Sequence, residues 1–82
     1  MRLRLRFFAS VRERLRRSEA EVDLAPGATV ADLWEELRRA YPTLAELGAS
    51  LRFAVNQEYV DAQHQLAEGD EVAVIPPVSG GL

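Results

Sequence analysis

Hydrophobic and charged residues alternate near the start of the chain. Leu3, Leu5 and Phe7 fall on one side of residues 2–8, and arginines fall on the other. Because successive side chains of a strand point to opposite faces, this pattern predicts a half-buried strand. Residues 20–24 alternate in the same way, with acids on their polar side. Acids opposite arginines stabilise neighbouring strands, so the two segments are predicted to pair antiparallel.

A helical pattern replaces this alternation in the middle of the chain. Hydrophobic residues recur every three or four positions from Val30 to Tyr41, which predicts one amphipathic helix with Trp34 on its packed side. Thr29 stands at the N-cap, and Asp32 takes the place of the second member of a capping box. A shorter helix is predicted after the first strand. Its capping box would pair Ser10 with Glu13, and it would run to about Arg17.

The second half of the chain predicts three more strands. Residues 51–55 alternate, and a turn at residues 56–58 leads into a short strand at residues 59–60. Residues 61–68 are polar and are predicted to form a loop. Residues 71–75 are nearly all apolar, which is typical of a central strand shielded on more than one side.

The order of these elements predicts an α+β fold. A right-handed crossover through the main helix would place a later strand parallel to the first. The expected result is a β-grasp (ubiquitin-like) arrangement, a mixed sheet of about five strands with one main helix packed across it. We assign residues 1–75 to this domain and residues 76–82 to an extended C-terminal tail.

Composition excludes several classes of function. The 82 residues include no cysteine, and all ten basic residues are arginine, so cysteine chemistry and lysine Schiff bases are excluded. The net charge of −3 disfavours a nucleic acid partner. No apolar run is long enough for a membrane span, and the N-terminus lacks the pattern of a secretory signal. The predicted compartment is the cytosol.

No catalytic constellation is visible in the sequence. His64 is the single histidine and lies in a polar loop, where a surface position is expected. The acids and glycines form no metal loop, phosphate loop or dinucleotide motif. We therefore expect no metal, no stably bound cofactor and no catalysis by the chain alone.

The C-terminal tail is the one segment suited to chemistry. Two prolines hold its first part extended, and small residues follow, so six residues could reach about 20 Å into another protein. A carboxylate is a poor electrophile until it is activated, for example as an acyl-adenylate. Sulfur placed on that carbon would give a thiocarboxylate. The tail positions predicted to enter a partner are Pro76, Pro77, Val78, Ser79 and Gly80, and the reacting carbonyl would be that of Gly81.

Residues 69–81 closely resemble the C-terminal signature of the MoaD-type sulfur carriers (MoaD/ThiS family), the small subunits of molybdopterin synthase. The specific part of this resemblance is the Pro-Pro-Val-Ser-Gly-Gly ending of residues 76–81. Residues 53–60 and the Phe-Phe-Ala of residues 7–9 are also similar to that family. The resemblance implies that an E1-like adenylating enzyme uses ATP to activate Gly81 and that a sulfurtransferase system supplies sulfur. The tail would then enter the large synthase subunit and give sulfur to a cyclic pyranopterin precursor, within a heterotetramer.

Leu82 departs from the family pattern because it makes the Gly81 carbonyl an ordinary amide. Three explanations stay open: trimming by a peptidase, a cut from a longer fusion, or a relative that carries no sulfur.

Two other functions are also open, namely sulfur transfer in thiazole or thionucleoside synthesis, and a ubiquitin-like modifier or interaction module. For the partner surface near the tail, the candidates by position are Phe7, Phe53, Val74 and Val78, and a place in the core is the open alternative for each.

Overall fold

A computed structural model describes residues 1–77 as five strands, two α-helices and a 3₁₀ helix. The strands are β1 (Arg2–Phe7), β2 (Glu19–Asp23), β3 (Arg52–Val55), β4 (Glu58–Val60) and β5 (Glu71–Ile75), and the helices are α1 (Ala9–Leu15), α2 (Val30–Ala40) and the 3₁₀ helix Pro42–Ser50. Within these residues, no helix has the length and apolar character needed to cross a membrane.

The strands form one mixed sheet in the order β2-β1-β5-β3-β4. β1 and β5 run parallel, and the other neighbouring pairs are antiparallel. The predicted parallel placement of a later strand beside the first and the central place of the last strand are therefore confirmed. Val72 and Val74 are buried, whereas Ala73 and Ile75 on the other face of β5 are only partly covered. One face of this strand is thus shielded fully and the other in part.

The outer face of the sheet, away from the helices, carries the arginines of β1. The register places three arginines opposite three acids, as predicted: Arg2 with Asp23, Arg4 with Glu21, and Arg6 with Glu19. The Arg2 guanidinium lies 2.9 Å from the Asp23 carboxylate and 3.0 Å from that of Glu21. Hydrogen bonding from Arg2 lowers the pKa of Asp23.

The core lies between the inner face of the sheet and the helices. Leu3, Leu5 and Phe7 point inward from β1 and are 0–2 % exposed. The Phe7 ring meets the ring of Tyr41 edge-on, with 6.0 Å between centroids. Trp34 packs against the same core while partly exposed, so the packing role expected from its helical spacing is confirmed.

The start of α2 is fixed by side-chain and backbone hydrogen bonds. Thr29 and Asp32 form the predicted capping box, and the Thr29 amide donates to the Asp32 carboxylate over 2.9 Å. The amide of Val30 lacks a partner inside its own helix and donates instead to the His64 carbonyl over 3.0 Å. This hydrogen bond connects the polar loop after β4 to the start of α2.

The predicted capping box of the short helix is wrong. α1 begins at Ala9, its N-cap is Phe8, and no side chain caps it. Ser10 lies inside the helix because the chain turns immediately after β1, with Ala9 at a φ of 48°. The helix also ends earlier than predicted, since Arg16 already adopts the left-handed conformation at its C-cap.

Candidate functional site

The tail leaves the domain from the middle of the sheet. β5 ends at Ile75, and Pro76 and Pro77 follow; we call these two prolines the tail root. Proline has no amide hydrogen, so neither residue can donate a further ladder bond. Pro76 is buried and Pro77 is exposed, so the chain emerges between them. The root is thus anchored to the most central strand.

The remaining predicted tail positions lie outside the described residues: Val78, Ser79, Gly80, Gly81 and Leu82. Their roles stay predictions. The structure instead defines the surface from which they depart.

A groove of about 690 Å³ lies beside the tail root. We call it the root groove. Arg52 is opposite Ile75 in the register of β3 and β5. Both residues line the root groove beside the prolines. The full lining is Ser50, Arg52, Tyr59, Val60, Ile75, Pro76 and Pro77.

An apolar surface adjoins this groove on the outer face of the sheet. We define the outer patch as Phe8, Ala54, Tyr59, Ala73 and Ile75. Tyr59 is 70 % exposed and Phe8 is 39 % exposed, which is unusual for side chains of this size. Ala54 pairs with both Tyr59 and Ala73. The small side chains of Ala54 and Ala73 leave a hollow of about 330 Å³. Exposed apolar surface of this kind commonly marks a protein-binding site.

Arg6 supports the aromatic edge of the outer patch. Its guanidinium carbon lies 5.7 Å from the centroid of the Phe8 ring, within the range of a cation–π contact. The same guanidinium lies 3.5 Å from the Glu71 carboxylate. Arg6 therefore contacts Phe8 from the β1 side while its charge is partly balanced by Glu71.

Two of the predicted interface residues are wrong. Phe7 is 2 % exposed and Val74 is 0 % exposed, because both point inward on strands whose inner faces form the core. Phe53 is only partly buried, but it pairs with Val74 and packs against the same core. The outward positions next to these residues, Phe8 and Ile75, line the outer patch instead.

Phe8 and Tyr59 were missed by the sequence reasoning. A signal for Phe8 was present, since the residue after an inward Phe7 must face outward on a continuing strand. Tyr59 had a weaker signal, because its neighbours across the sheet depend on long-range strand order.

The other polar candidates form no site. His64 is exposed in the loop, as predicted. In the part of the chain that ends at Pro77, histidine, aspartate and glutamate side chains form no group able to hold a metal ion.

Known proteins resemble this chain over almost its whole length. The model of the ThiS family matches residues 5–81. The molybdopterin synthase sulfur carrier subunit of Chlamydomonas reinhardtii is 41 % identical over 99 % of this chain and 100 % of its own.

Two solved structures share the fold over almost the whole chain. One is a putative molybdopterin converting factor subunit 1 of Pyrococcus furiosus, with a TM-score of 0.86 and 32 % identity, covering 95 % of this chain and 99 % of that one. The other is the small archaeal modifier protein 1 of Haloferax volcanii, with a TM-score of 0.84 and 27 % identity, covering 94 % and 98 %. The predicted ubiquitin-like β-grasp fold is confirmed.

The family match spans residues 5–81 and includes the segment that resembles a sulfur-carrier ending. The chain therefore belongs to the ThiS family.

Proposed function

We propose that this chain is the sulfur carrier subunit of a molybdopterin synthase and that it carries sulfur as a thiocarboxylate on Gly81. The observation that carries the proposal is the 41 % identity, over 99 % of this chain and the full length of the relative, to a protein named as that subunit. The position of the tail root supports it, because Pro76 and Pro77 start the tail at the end of the central strand β5.

The chemistry needs a free carboxylate at Gly81, so Leu82 has to be removed first. A carboxylate oxygen of Gly81 would attack the α-phosphorus of ATP and release pyrophosphate. Hydrosulfide would then attack the carbonyl carbon and displace AMP, which gives the thiocarboxylate directly. A sulfurtransferase persulfide would instead give an acyl disulfide, and a second thiol would have to reduce its S–S bond to release the thiocarboxylate. An E1-like adenylating enzyme and a sulfurtransferase would perform these steps, and ATP would bind to the former. The carrier contributes the acyl group and no catalytic side chain, and the cytosol stays the predicted compartment.

The length of the tail determines which surface its partner covers. Gly81 is the fourth residue after Pro77, so at most about 14 Å separates them. A partner that receives Gly81 in a recessed site therefore lies against the tail root and its surroundings. The root groove and the outer patch offer that contact, and the large subunit of molybdopterin synthase is the partner that we propose for them.

A second candidate function is protein modification. The likeness to small archaeal modifier protein 1 favours it, because both chains share the fold over almost their whole length. A modifier would join its C-terminal glycine to a lysine of another protein as a stable amide. Sulfur delivery to a thiazole or thionucleoside pathway is a third use of the same thiocarboxylate.

Mass spectrometry of the intact chain tests the proposal. A chain ending at Gly81 is incubated with the adenylating enzyme, ATP and a sulfur donor, and the large subunit and pterin precursor are then added. We expect exchange of one oxygen for sulfur in the first step and loss of that sulfur in the second. The matched control retains Leu82 and should stay unmodified. Absence of sulfur on the chain ending at Gly81 would overturn the proposal, and an amide to lysine would favour the modifier.

A further inference from the structure

Arg52 lines two neighbouring, mainly apolar grooves. Among the lining residues of the root groove that the structure describes, it is the one with a charged side chain. It also borders a second groove of about 440 Å³ beside Trp34 and Phe53, where the other lining residues are uncharged as well. Its own side chain is exposed.

Arg52 also lacks an acidic partner in the described part of the chain. Six ion pairs join side chains within residues 1–77, and Arg52 takes part in none of them. Several other arginines share this property, but they lie on the charged β1–β2 face or on and after α1, away from the root groove: Arg4, Arg12, Arg16 and Arg17. A cation held between apolar surfaces gains more from a carboxylate once a partner excludes water.

We propose that Arg52 is a specificity-determining residue of the docking surface and that it pairs with a carboxylate of the protein that takes up the tail. The inference rests on the proposed function, since it names the contact that the large subunit would make. The occupant of the root groove is then a segment of that subunit. An apolar side chain of this segment would pack against Ile75 and Tyr59, and an acidic side chain would pair with Arg52.

Distance separates this contact from the chemistry at the end of the tail. Arg52 lies beside Pro76 and Pro77, four to five residues before Gly81. With the tail extended into a partner, Gly81 would be about 14 Å beyond Pro77, out of reach of a guanidinium at the root. Arg52 would therefore select the partner without touching the acyl-adenylate or the sulfur.

Binding of the chain ending at Gly81 to the purified large subunit tests this inference. Arg52→Glu should weaken binding at least about tenfold, as expected for reversal of one charge in a close interfacial pair. Arg52→Gln keeps the shape of the side chain and should weaken binding less. Its affinity should also depend less on salt than that of the parent chain. The matched control is Arg39→Glu, which makes the same change in net charge on α2, outside both grooves and the outer patch. It should leave affinity within about twofold, because a charge outside the contact acts only through screened long-range attraction.

The outcomes separate the two proposals. If the parent chain binds and Arg52→Glu weakens binding no more than Arg39→Glu, the inference about Arg52 is wrong while the carrier function stands. If the parent chain neither binds nor gains sulfur, the proposed function itself fails. Circular dichroism and thermal melts of Arg52→Gln and Arg52→Glu establish that both are folded.

A competing source of the carboxylate is the C-terminus of this chain. A chain with a Gly81 carboxamide removes that group and leaves the rest intact. If the loss caused by Arg52→Glu persists in this background, the carboxylate belongs to the partner. If the loss disappears, Arg52 holds its own tail and the inference is overturned.

Discussion

The amide of Phe8 donates a hydrogen bond of 3.3 Å to the carbonyl oxygen of Val74. This bond joins the end of β1 to β5 just before the chain leaves the sheet. It places the outward ring of Phe8 next to Ile75 and the inward side chain of Val74 in the core. The tail root and the outer patch therefore lie next to each other, where β1 and β5 end.

The two adjacent phenylalanines should behave differently when truncated. Phe7→Ala removes a buried ring that packs on Tyr41 and should lower the free energy of unfolding by about 3–5 kcal/mol. Phe8→Ala should lower it by less than about 1 kcal/mol, because Phe8 is substantially exposed. Chemical denaturation measures both values, and equal losses would contradict the assignment of Phe7 to the core and Phe8 to the surface.

Tyr59 should matter for partner binding more than for folding. Its side chain is 70 % exposed at the junction of the outer patch and the root groove. Tyr59→Asp should weaken binding to the large subunit at least about tenfold, as at an aromatic hot spot. Tyr59→Phe keeps the ring and serves as control. Titration calorimetry gives both affinities, and an unchanged affinity for Tyr59→Asp would place the interface elsewhere.

Helix capping should affect stability without affecting sulfur loading. Thr29→Ala removes one half of the capping box of α2 and should lower the free energy of unfolding by about 1 kcal/mol. Thr29→Ser retains the accepting oxygen and should lie close to the parent chain. Both variants should gain sulfur at the parental rate. A loading defect in either variant would argue that α2 takes part in recognition by the adenylating enzyme.

Acid should remove the ion pair on the charged face. Arg2 holds the pKa of Asp23 below 3.8, so this carboxylate stabilises the fold above that pH. Its contribution should fall as the pH drops from 3.8 through the lower pKa of the folded state, because protonation then breaks the pair. In Arg2→Gln the Asp23 pKa should return toward 3.8, as followed by an NMR pH titration. The same midpoint in both proteins would show that Arg2 does not hold this carboxylate.

Features that depend on local periodicity could be predicted from the sequence. Alternation located β1 and β2 and even their facing charges, and the apolar run at residues 71–75 indicated the central strand. Spacing and capping chemistry likewise located α2. These signals are strong because each reflects the residue's own position within one element.

The candidate surface was less predictable because it depends on which strands become neighbours. Phe8, Tyr59 and Ile75 are far apart in sequence and meet only after β5 inserts between β1 and β3. Position near the tail favoured the apolar residues Phe7 and Val74, but both point to the inner face of the sheet and are buried. The end of β1 was misjudged because it also depends on the neighbouring strand. The Phe8 amide bonds to the Val74 carbonyl of β5, and α1 begins at the next residue.

The most direct test of the central claim is the intact mass of the chain isolated from the organism that makes it, in complex with active synthase. The account predicts loss of Leu82 and a terminal Gly81 that carries sulfur in place of one oxygen. A fully active complex whose chain still ends in Leu82 would contradict it.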